Sequence, residues 1–148
     1  MPRRSIRCSR CRRPPRRRAR MPNTLIATRA GWITDPKTII DAVQSALREA
    51  LKIPEADRTL RLIEHPVSHF AVPPGRGEKY TLIEVTMFSG RSMDAKRRPY
   101  QTIVRNLATL GVPPFDIKIT LIETPPENWG LRGGMPASEI DLGFKIDV

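Results

Sequence analysis

The feature of this sequence that most restricts its fold is an internal repeat with an offset of 59 residues. Residues 53–66 (IPEADRTLRLIEHP) match residues 112–125 (VPPFDIKITLIETP) at six of fourteen positions. The same register, without a gap, pairs three positions outside this segment: Asp35 with Asp94, Lys37 with Lys96, and Leu51 with Leu110. A chain repeated in this way predicts two copies of one supersecondary unit.

Each copy has the pattern of a strand, a helix and a returning strand. In the first copy, residues 22–66, a short strand is predicted at Asn23–Arg29 and a returning strand at Arg58–Glu64. Between them, Asp35-Pro36 is a typical helix start, with Asp as the N-cap and Pro as the first helical residue. Apolar residues then recur at helical spacing, at Ile39, Ile40, Val43, Leu47, Ala50 and Leu51.

The second copy, residues 80–125, repeats this order. Tyr80–Phe88 is rich in residues that favour strands, and Phe115–Ile122 is the returning strand. The helix between them is predicted to open at Ser92 and to end near Leu110, where Gly111 can cap it. Pro99 conflicts with this helix, because an interior proline costs a helix roughly 3 kcal/mol.

The end of the chain has its own pattern. Apolar residues alternate over the last residues, at Ile140, Leu142, Phe144, Ile146 and Val148. A strict period of two predicts a half-buried strand, at about 138–148. Because this strand has no counterpart in either repeat, we expect it to pair with a neighbouring subunit.

The charge of the chain is concentrated at its start. Ten arginines and no acid lie in residues 1–20, so removing them from the net charge of +11 leaves +1 for residues 21–148. We therefore predict a disordered Arg-rich extension at 1–21, followed by one domain at 22–148. Such an extension could hold nucleic acid through phosphate contacts, independently of base sequence.

The two cysteines, Cys8 and Cys11, both lie in this extension. They could supply half of a zinc site, whereas a structural zinc needs about four ligands, so we expect no metal. The rest of the chain has no cysteine, which fits a cytoplasmic protein. No apolar stretch approaches the roughly 18 residues of a membrane span, and we expect no contact with a membrane.

Four further segments carry a resemblance to a known family. They are Met21-Pro22, IEHPVSH at 63–69, TMFSGRS at 86–92 with KRRPYQ at 96–101, and ENWGLRGG at 127–134. Together with the two β-α-β units, they resemble the tautomerase superfamily, in its branch of malonate semialdehyde decarboxylase and macrophage migration inhibitory factor-like proteins. The resemblance implies an α/β (α+β) fold: a four-stranded mixed sheet with two helices on one face and a short C-terminal strand, assembled as a homotrimer.

The resemblance also implies a cofactor-free enzyme that uses an amino-terminal proline. A free proline amine in an apolar pocket near cations has its charged form disfavoured, so it can act as a base near neutral pH. Within the chain, however, the nitrogen of Pro22 is a tertiary amide with no basic lone pair. We therefore expect translation to start at Met21, or the chain to be cleaved after it.

By the same resemblance, Arg91 in the SGRS turn binds a substrate carboxylate, and Asp57 activates water or orients the substrate. Ser89 is a candidate substrate-binding residue that stands where the decarboxylase pattern has a second arginine, which weakens a decarboxylase assignment. Asp116 repeats Asp57, so Asp57 could instead be a turn residue. The remaining candidate substrate-binding residues are Arg29, a possible second cation, and Trp129, a possible pocket wall.

Three functions remain open from the sequence. The first is a tautomerase that moves a proton on a small 2-oxo or 2-hydroxy-dienoate acid. The second is a related hydratase or decarboxylase of the malonate semialdehyde type, in which Asp57 acts on water. The third belongs to another class: a trimer without catalysis, whose basic extension binds nucleic acid.

Overall fold

The computed structural model of this protein describes residues 22–142, so the Arg-rich extension lies outside the described residues. The regular elements of the described part are β1 (Asn23–Arg29), α1 (Pro36–Leu51), β2 (Thr59–His65), β3 (Thr81–Phe88), α2 (Met93–Ala108), β4 (Ile117–Thr124), β5 (Gly130–Leu131) and β6 (Met135–Pro136). Neither helix of this part is long and apolar enough to cross a membrane.

The four long strands form one mixed sheet in the order β2-β1-β3-β4. Each β-α-β unit contributes one parallel pair, β1 with β2 and β3 with β4. The two units meet through the antiparallel pairing of β1 with β3, in which Ile26 lies opposite Ile83. This arrangement confirms the predicted four-stranded mixed sheet of two duplicated units.

The repeat is visible in small details as well as in the strands. Both copies close a turn before the returning strand: the Asp57 N–H donates to the Pro54 carbonyl at 3.1 Å, and the Asp116 N–H donates to the Pro113 carbonyl at 2.9 Å. A short 3-10 turn follows each returning strand, at Val67–His69 and Pro126–Asn128. The offset of 59 residues relates these features to one another.

Both helices lie against one face of the sheet and enclose the core. Alternate residues of the central strands face the helices, so that Ile26 of β1 and Ile83 and Val85 of β3 are buried. Helix α1 contributes most of the remaining core residues, at Ile39, Val43, Ala46, Leu47, Ala50 and Leu51, and α2 adds Ile103 and Leu107. The apolar positions predicted for α1 are therefore buried, except Ile40, which is half-buried.

The helix starts agree with the sequence. The Asp35 side chain accepts the Lys37 N–H at 2.9 Å and caps α1, with Pro36 as its first residue. The Ser92 hydroxyl accepts the Ala95 N–H at 3.3 Å and caps α2.

The two helices end in the same backbone conformation with different residues. Gly111 has φ 74°, and the N–H groups of Gly111 and Val112 donate to the carbonyls of Ala108 and Leu107. This is the Schellman pattern that terminates many helices. The repeat places Lys52 at the equivalent position, where it has φ 54° without being a glycine.

Pro99 does not interrupt α2, which is continuous from Met93 to Ala108. The proline removes one main-chain bond in the first half of the helix, and its ring is buried. Nearby, the Thr102 hydroxyl lies within hydrogen-bond distance of the carbonyls of Arg98, at 2.9 Å, and of Ala46 in α1, at 3.3 Å. Packing against α1 therefore holds a helix that its local sequence disfavours.

The end of the chain is described only in part. Ala137–Glu139 is a short 3-10 turn, residues 140–142 have no regular structure, and the rest of the predicted strand at 138–148 lies outside the described residues. A feature that the sequence pattern did not predict is the two-residue hairpin of β5 and β6. Its turn is formed by three residues with positive φ, Arg132, Gly133 and Gly134.

The two helix ends give a paired stability prediction. Lys52→Gly should stabilise the fold by up to about 1 kcal/mol. The left-handed conformation costs a residue with a Cβ roughly 1–2 kcal/mol, and glycine removes this cost but loses more conformational entropy on folding, which offsets part of the gain. Gly111→Ala should destabilise the fold by roughly 1–2 kcal/mol, since a Cβ there would also lie 3.0 Å from Lys79 Nζ. Urea unfolding of the two variants measures both effects, and a loss of stability in Lys52→Gly would contradict the reasoning.

Candidate functional site

The strand directions bring most of the predicted site residues to one end of the sheet. Pro22 directly precedes β1, and Asp57 lies two residues before β2; because β1 and β2 are parallel and Asn23 pairs with Thr59, these residues share an end. Strand β3 runs the other way, with Thr86 opposite Asn23, so β3 ends beside Pro22. We call this the Pro22 end of the sheet.

The SGRS turn follows directly from β3 at this end. The Ser89 N–H extends the β3–β4 ladder by donating to the Thr124 carbonyl at 3.1 Å. Gly90 then takes φ 105°, a conformation that favours glycine, and turns the chain toward α2. Arg91 is thereby placed between the end of the central strand and the N-terminus of a helix, and its side chain is half-buried.

The turn that carries Arg91 is held by a residue that the sequence reasoning missed, Glu123 of β4. Its carboxylate accepts the Arg91 N–H at 3.4 Å and pairs with Lys96 Nζ of α2 at 2.6 Å. The hydrogen bond from Lys96 is the main reason that the pKa of Glu123 is lowered, with the N–H groups of Arg91 and Gly90 adding to the effect against desolvation. Glu123 thus joins β4, α2 and the Arg91 turn.

The repeat contained a signal for Glu123 in its matched Leu-Ile-Glu runs and matched lysines. Glu64 and Lys37 are the first-copy counterparts of Glu123 and Lys96. In the first copy, however, Lys37 pairs with Asp41, and Glu64 is exposed. We call the contacts of Glu123 with Lys96 and with the Arg91 N–H the Glu123 clamp. It forms in the second copy and not in the first, although the sequence has a Glu and a Lys at the matching positions of both copies.

Trp129 forms an aromatic wall at the Pro22 end. Its ring meets the ring of buried Phe88 edge-on, with centroids 5.1 Å apart and planes at 60°. The Ala137 N–H donates to the Trp129 carbonyl at 2.8 Å, which ties the terminal hairpin to this position. The indole Nε1 is buried and has no hydrogen-bond partner among residues 22–142.

Asp57 and its repeat partner Asp116 differ in their surroundings. The Asp116 carboxylate accepts the Gly77 N–H at 3.1 and 3.2 Å, and so fastens the loop before β3. Asp57 forms its structural hydrogen bonds through its main chain. Its N–H donates to the Pro54 carbonyl and closes the turn, and its own carbonyl accepts a hydrogen bond from Gln44 Nε2 at 3.1 Å. Asp116 is therefore a structural residue, and its recurrence does not assign the same task to the Asp57 side chain.

Arg29 does not join this group within one chain. It ends β1, whereas Pro22 precedes it, so the two residues are separated by the length of the strand, ~23 Å. Its Nε donates to the Phe70 carbonyl at 2.9 Å, beside the stacked rings of His65 and Phe70. The structure thus places five of the predicted site residues at the Pro22 end of the sheet and Arg29 at the other end. The five are Pro22, Asp57, Ser89, Arg91 and Trp129.

Comparison with known proteins identifies the family of this chain. A family profile described as tautomerase enzyme matches residues 57–132. The chain belongs to the tautomerase family. A probable tautomerase of Ralstonia nicotianae is 36% identical over 53 residues, which cover 35% of this chain and 76% of that protein.

Solved structures of the tautomerase family share the fold. The crystal structure of FG41 malonate semialdehyde decarboxylase inhibited by 3-bromopropiolate aligns with a TM-score of 0.71 and 28% identity, over 84% of this chain and 98% of that chain. A fused 4-OT, described as a symmetric trimer, aligns with a TM-score of 0.69 and 21% identity, over 78% and 95% of the two chains. The second likeness, at this identity, concerns the fold alone.

The Glu123 clamp gives a prediction with a defined dependence on pH. Folding lowers the pKa of Glu123. The ionised carboxylate therefore stabilises the fold fully when the pH is above the ordinary pKa of glutamate, and this stabilisation is lost as the pH falls through the lowered pKa. Glu123→Gln should therefore cost roughly 1–2 kcal/mol near pH 7, and this difference should shrink in acid. Urea unfolding at several pH values measures it.

The matched control is Glu64→Gln, which removes the repeat partner of Glu123 from an exposed position. This variant should unfold like the parent protein at every pH. Equal effects of the two substitutions would show that the clamp contributes nothing beyond an exposed charge.

Proposed function

We propose that this protein is a cofactor-free tautomerase that acts on a small 2-oxo or 2-hydroxy-dienoate carboxylic acid. The observation that carries the proposal is the convergence of Pro22 and the SGRS turn at one end of the sheet, which the antiparallel β1–β3 pairing produces. Membership of the tautomerase family supports it.

In the proposed reaction, Pro22 moves the proton. Pro22 is buried, and burial disfavours the charged form of an amine, which favours a neutral base. The amine takes a proton from the carbon next to the carbonyl of a 2-oxo acid, or from the enol hydroxyl of a 2-hydroxy-dienoate. Once charged, it gives a proton to another carbon of the substrate, and the double bonds shift accordingly. Pro22 can do this where the Met21–Pro22 peptide bond is absent, since an amide nitrogen is not basic.

Arg91 is the proposed partner of the substrate carboxylate. A guanidinium binds a carboxylate through two parallel hydrogen bonds, which fixes the reacting carbon as well as holding charge. The clamp by Glu123 and Lys96 keeps the main chain of Arg91 in one place. Trp129 supplies an apolar wall beside Phe88, and Ser89 lies in the same turn as Arg91.

A hydratase or decarboxylase of malonate semialdehyde is the second candidate. It is favoured by the likeness to FG41 malonate semialdehyde decarboxylase, which extends over 98% of that chain. Asp57, at the same end of the sheet as Pro22, would act on water in this reaction. Ser89 argues against this candidate, because the decarboxylase pattern has a second arginine at this position and the chain therefore has one cation fewer to hold the carboxylate.

Two measurements test the catalytic role of Pro22. The intact mass of the native protein should match a chain that begins at Pro22, and that protein should ketonise phenylenolpyruvate. Arg91→Ala should lower kcat/KM by about ten- to a hundredfold, the value of one charge-assisted hydrogen bond or pair. Arg97→Ala, which removes an exposed arginine of α2 paired with Asp94, is the control and should keep full activity.

Specific outcomes separate the candidates. Loss of carbon dioxide from malonate semialdehyde without ketonisation of phenylenolpyruvate would favour the decarboxylase. Equal activity in a chain that retains the Met21–Pro22 bond would exclude Pro22 as the base.

We further propose that the chain assembles as a homotrimer through the face of the sheet that the helices leave open. Leu60 and Leu62 of β2 face the core, so the next residue, Ile63, projects from the opposite face and is 42% exposed. Ile122 of β4 projects from the same face and is 38% exposed. Two apolar side chains exposed on a sheet face favour contact with other subunits.

Light scattering after size-exclusion chromatography tests the assembly. The parent protein should have three times the mass of one chain, and Ile63→Glu should dissociate it, because a carboxylate on this face would be buried without a partner. Phe115→Glu is the control, since Phe115 is 79% exposed on another part of the surface. A parent protein with the mass of one chain would overturn the proposal.

A further inference from the structure

A cavity of about 290 Å³ lies at the end of the sheet opposite to Pro22. Its walls are formed by the end of β1 with the following turn, and by two residues from the segment between β2 and β3. The lining residues are Arg29, Ala30, Gly31, Trp32, Val67 and Glu78. The cavity has the volume of roughly ten water molecules, enough for a small metabolite.

The repeat relates this cavity to the Pro22 site. An offset of 59 residues places residues 29–32 on residues 88–91, which form the SGRS turn and its preceding strand end. The two turns share a glycine with a similar backbone angle, φ 109° at Gly31 and φ 105° at Gly90. The cavity is therefore the first-copy counterpart of the candidate active site.

This counterpart lacks the group on which the proposed chemistry depends. The position that corresponds to Pro22 is Thr81, a residue of β3 whose hydroxyl donates to the Lys79 carbonyl at 2.9 Å. Thr81 lies inside the described chain and has no free amine. A molecule bound in the cavity would therefore be held without being converted by proline chemistry.

Arg29 is oriented toward binding in this cavity. Its Nε donates to the carbonyl of Phe70, whose counterpart Trp129 accepts the main-chain N–H of Ala137 instead. This bond fixes one edge of the guanidinium against the main chain. No carboxylate of the described residues pairs with the other edge, whose two nitrogens remain available to a ligand anion.

Glu78 supplies the opposite charge on the wall of the same cavity. Within residues 22–142 it forms no ion pair and accepts no hydrogen bond, and it is not paired with Arg29. Two opposite charges that share a small cavity without meeting leave one site for an anionic group and one for a cationic group. Trp32 adds an apolar surface, held by its Nε1–H bond to the Thr28 hydroxyl at 3.0 Å.

We propose that this cavity is a second binding site, which takes a small zwitterionic amino acid and does not catalyse its conversion. The ligand carboxylate binds the free edge of Arg29, the ligand ammonium binds Glu78, and the carbon chain lies against Trp32. The site is independent of the proposed reaction at Pro22, because it uses none of the residues assigned to that reaction.

The two tryptophans allow the sites to be observed separately. Trp32 lines the cavity and Trp129 lies at the Pro22 end, so each indole N–H signal in a ¹⁵N-labelled full-length protein reports on one site. The variant Trp129→Phe assigns the signals. Titration with L-alanine, propionate and ethylamine then compares a zwitterion with its separate anionic and cationic halves.

We expect L-alanine to move the Trp32 signal in a saturable way and to leave the Trp129 signal unchanged, with propionate and ethylamine each binding more weakly. Arg29→Gln should weaken L-alanine binding by about tenfold or more, and Glu78→Gln should weaken it several-fold. Glu78→Gln removes no hydrogen bond of the described residues, so we expect this variant to fold normally. Weaker binding by this variant therefore reports on the cavity and not on a loss of folding. Glu55→Gln, which removes an exposed carboxylate elsewhere, is the control and should bind L-alanine normally.

Three results would overturn the proposal. The first is a Trp32 signal that no ligand moves. The second is equal binding of propionate and L-alanine, which would exclude a role for Glu78. The third is movement of both indole signals together, which would mean that the ligand does not distinguish the cavity from the Pro22 end. None of these results bears on the ketonisation activity, so failure here is distinct from failure of the proposed function.

Discussion

The antiparallel pairing of β1 with β3 is the contact on which the rest of the structure depends. Each β-α-β unit forms a parallel pair by itself, but an amphipathic sheet of two strands and one helix buries too little apolar surface to be stable alone. Pairing Ile26 with Ile83 joins the two units into one sheet with one core beneath two helices. The same pairing returns the end of β3 to the start of β1, which creates the candidate site.

The two ends of the sheet are related by the repeat, but they carry different side chains. At the Pro22 end, Phe88 packs on Trp129, and Glu123 with Lys96 holds the Arg91 turn. At the other end, Arg29 occupies the position of Phe88 and binds the Phe70 carbonyl. The backbone is nearly the same in both places, so the chemistry of each end follows from a few substitutions on a common frame.

Much of this fold could be predicted because its signals are local. A proline after an N-cap aspartate fixes the start of α1, and a glycine in the left-handed region fixes the end of α2, whatever surrounds them. Pro99 shows where local reasoning fails: burial and packing against α1 maintain a helix that propensity disfavours. The hairpin of β5 and β6 was missed because two-residue strands carry no periodicity.

The sequence by itself determined the two β-α-β units and the list of candidate residues, since repetition and spacing are properties of the chain. It could not determine which candidates meet, because Pro22, Arg91 and Glu123 lie far apart in the sequence. Tertiary structure placed Pro22 and Arg29 at opposite ends of the sheet, and brought Arg91, in the turn after β3, to Glu123 of β4. The physical reason is strand direction: antiparallel pairing joins the start of one strand to the end of another, which no local pattern records.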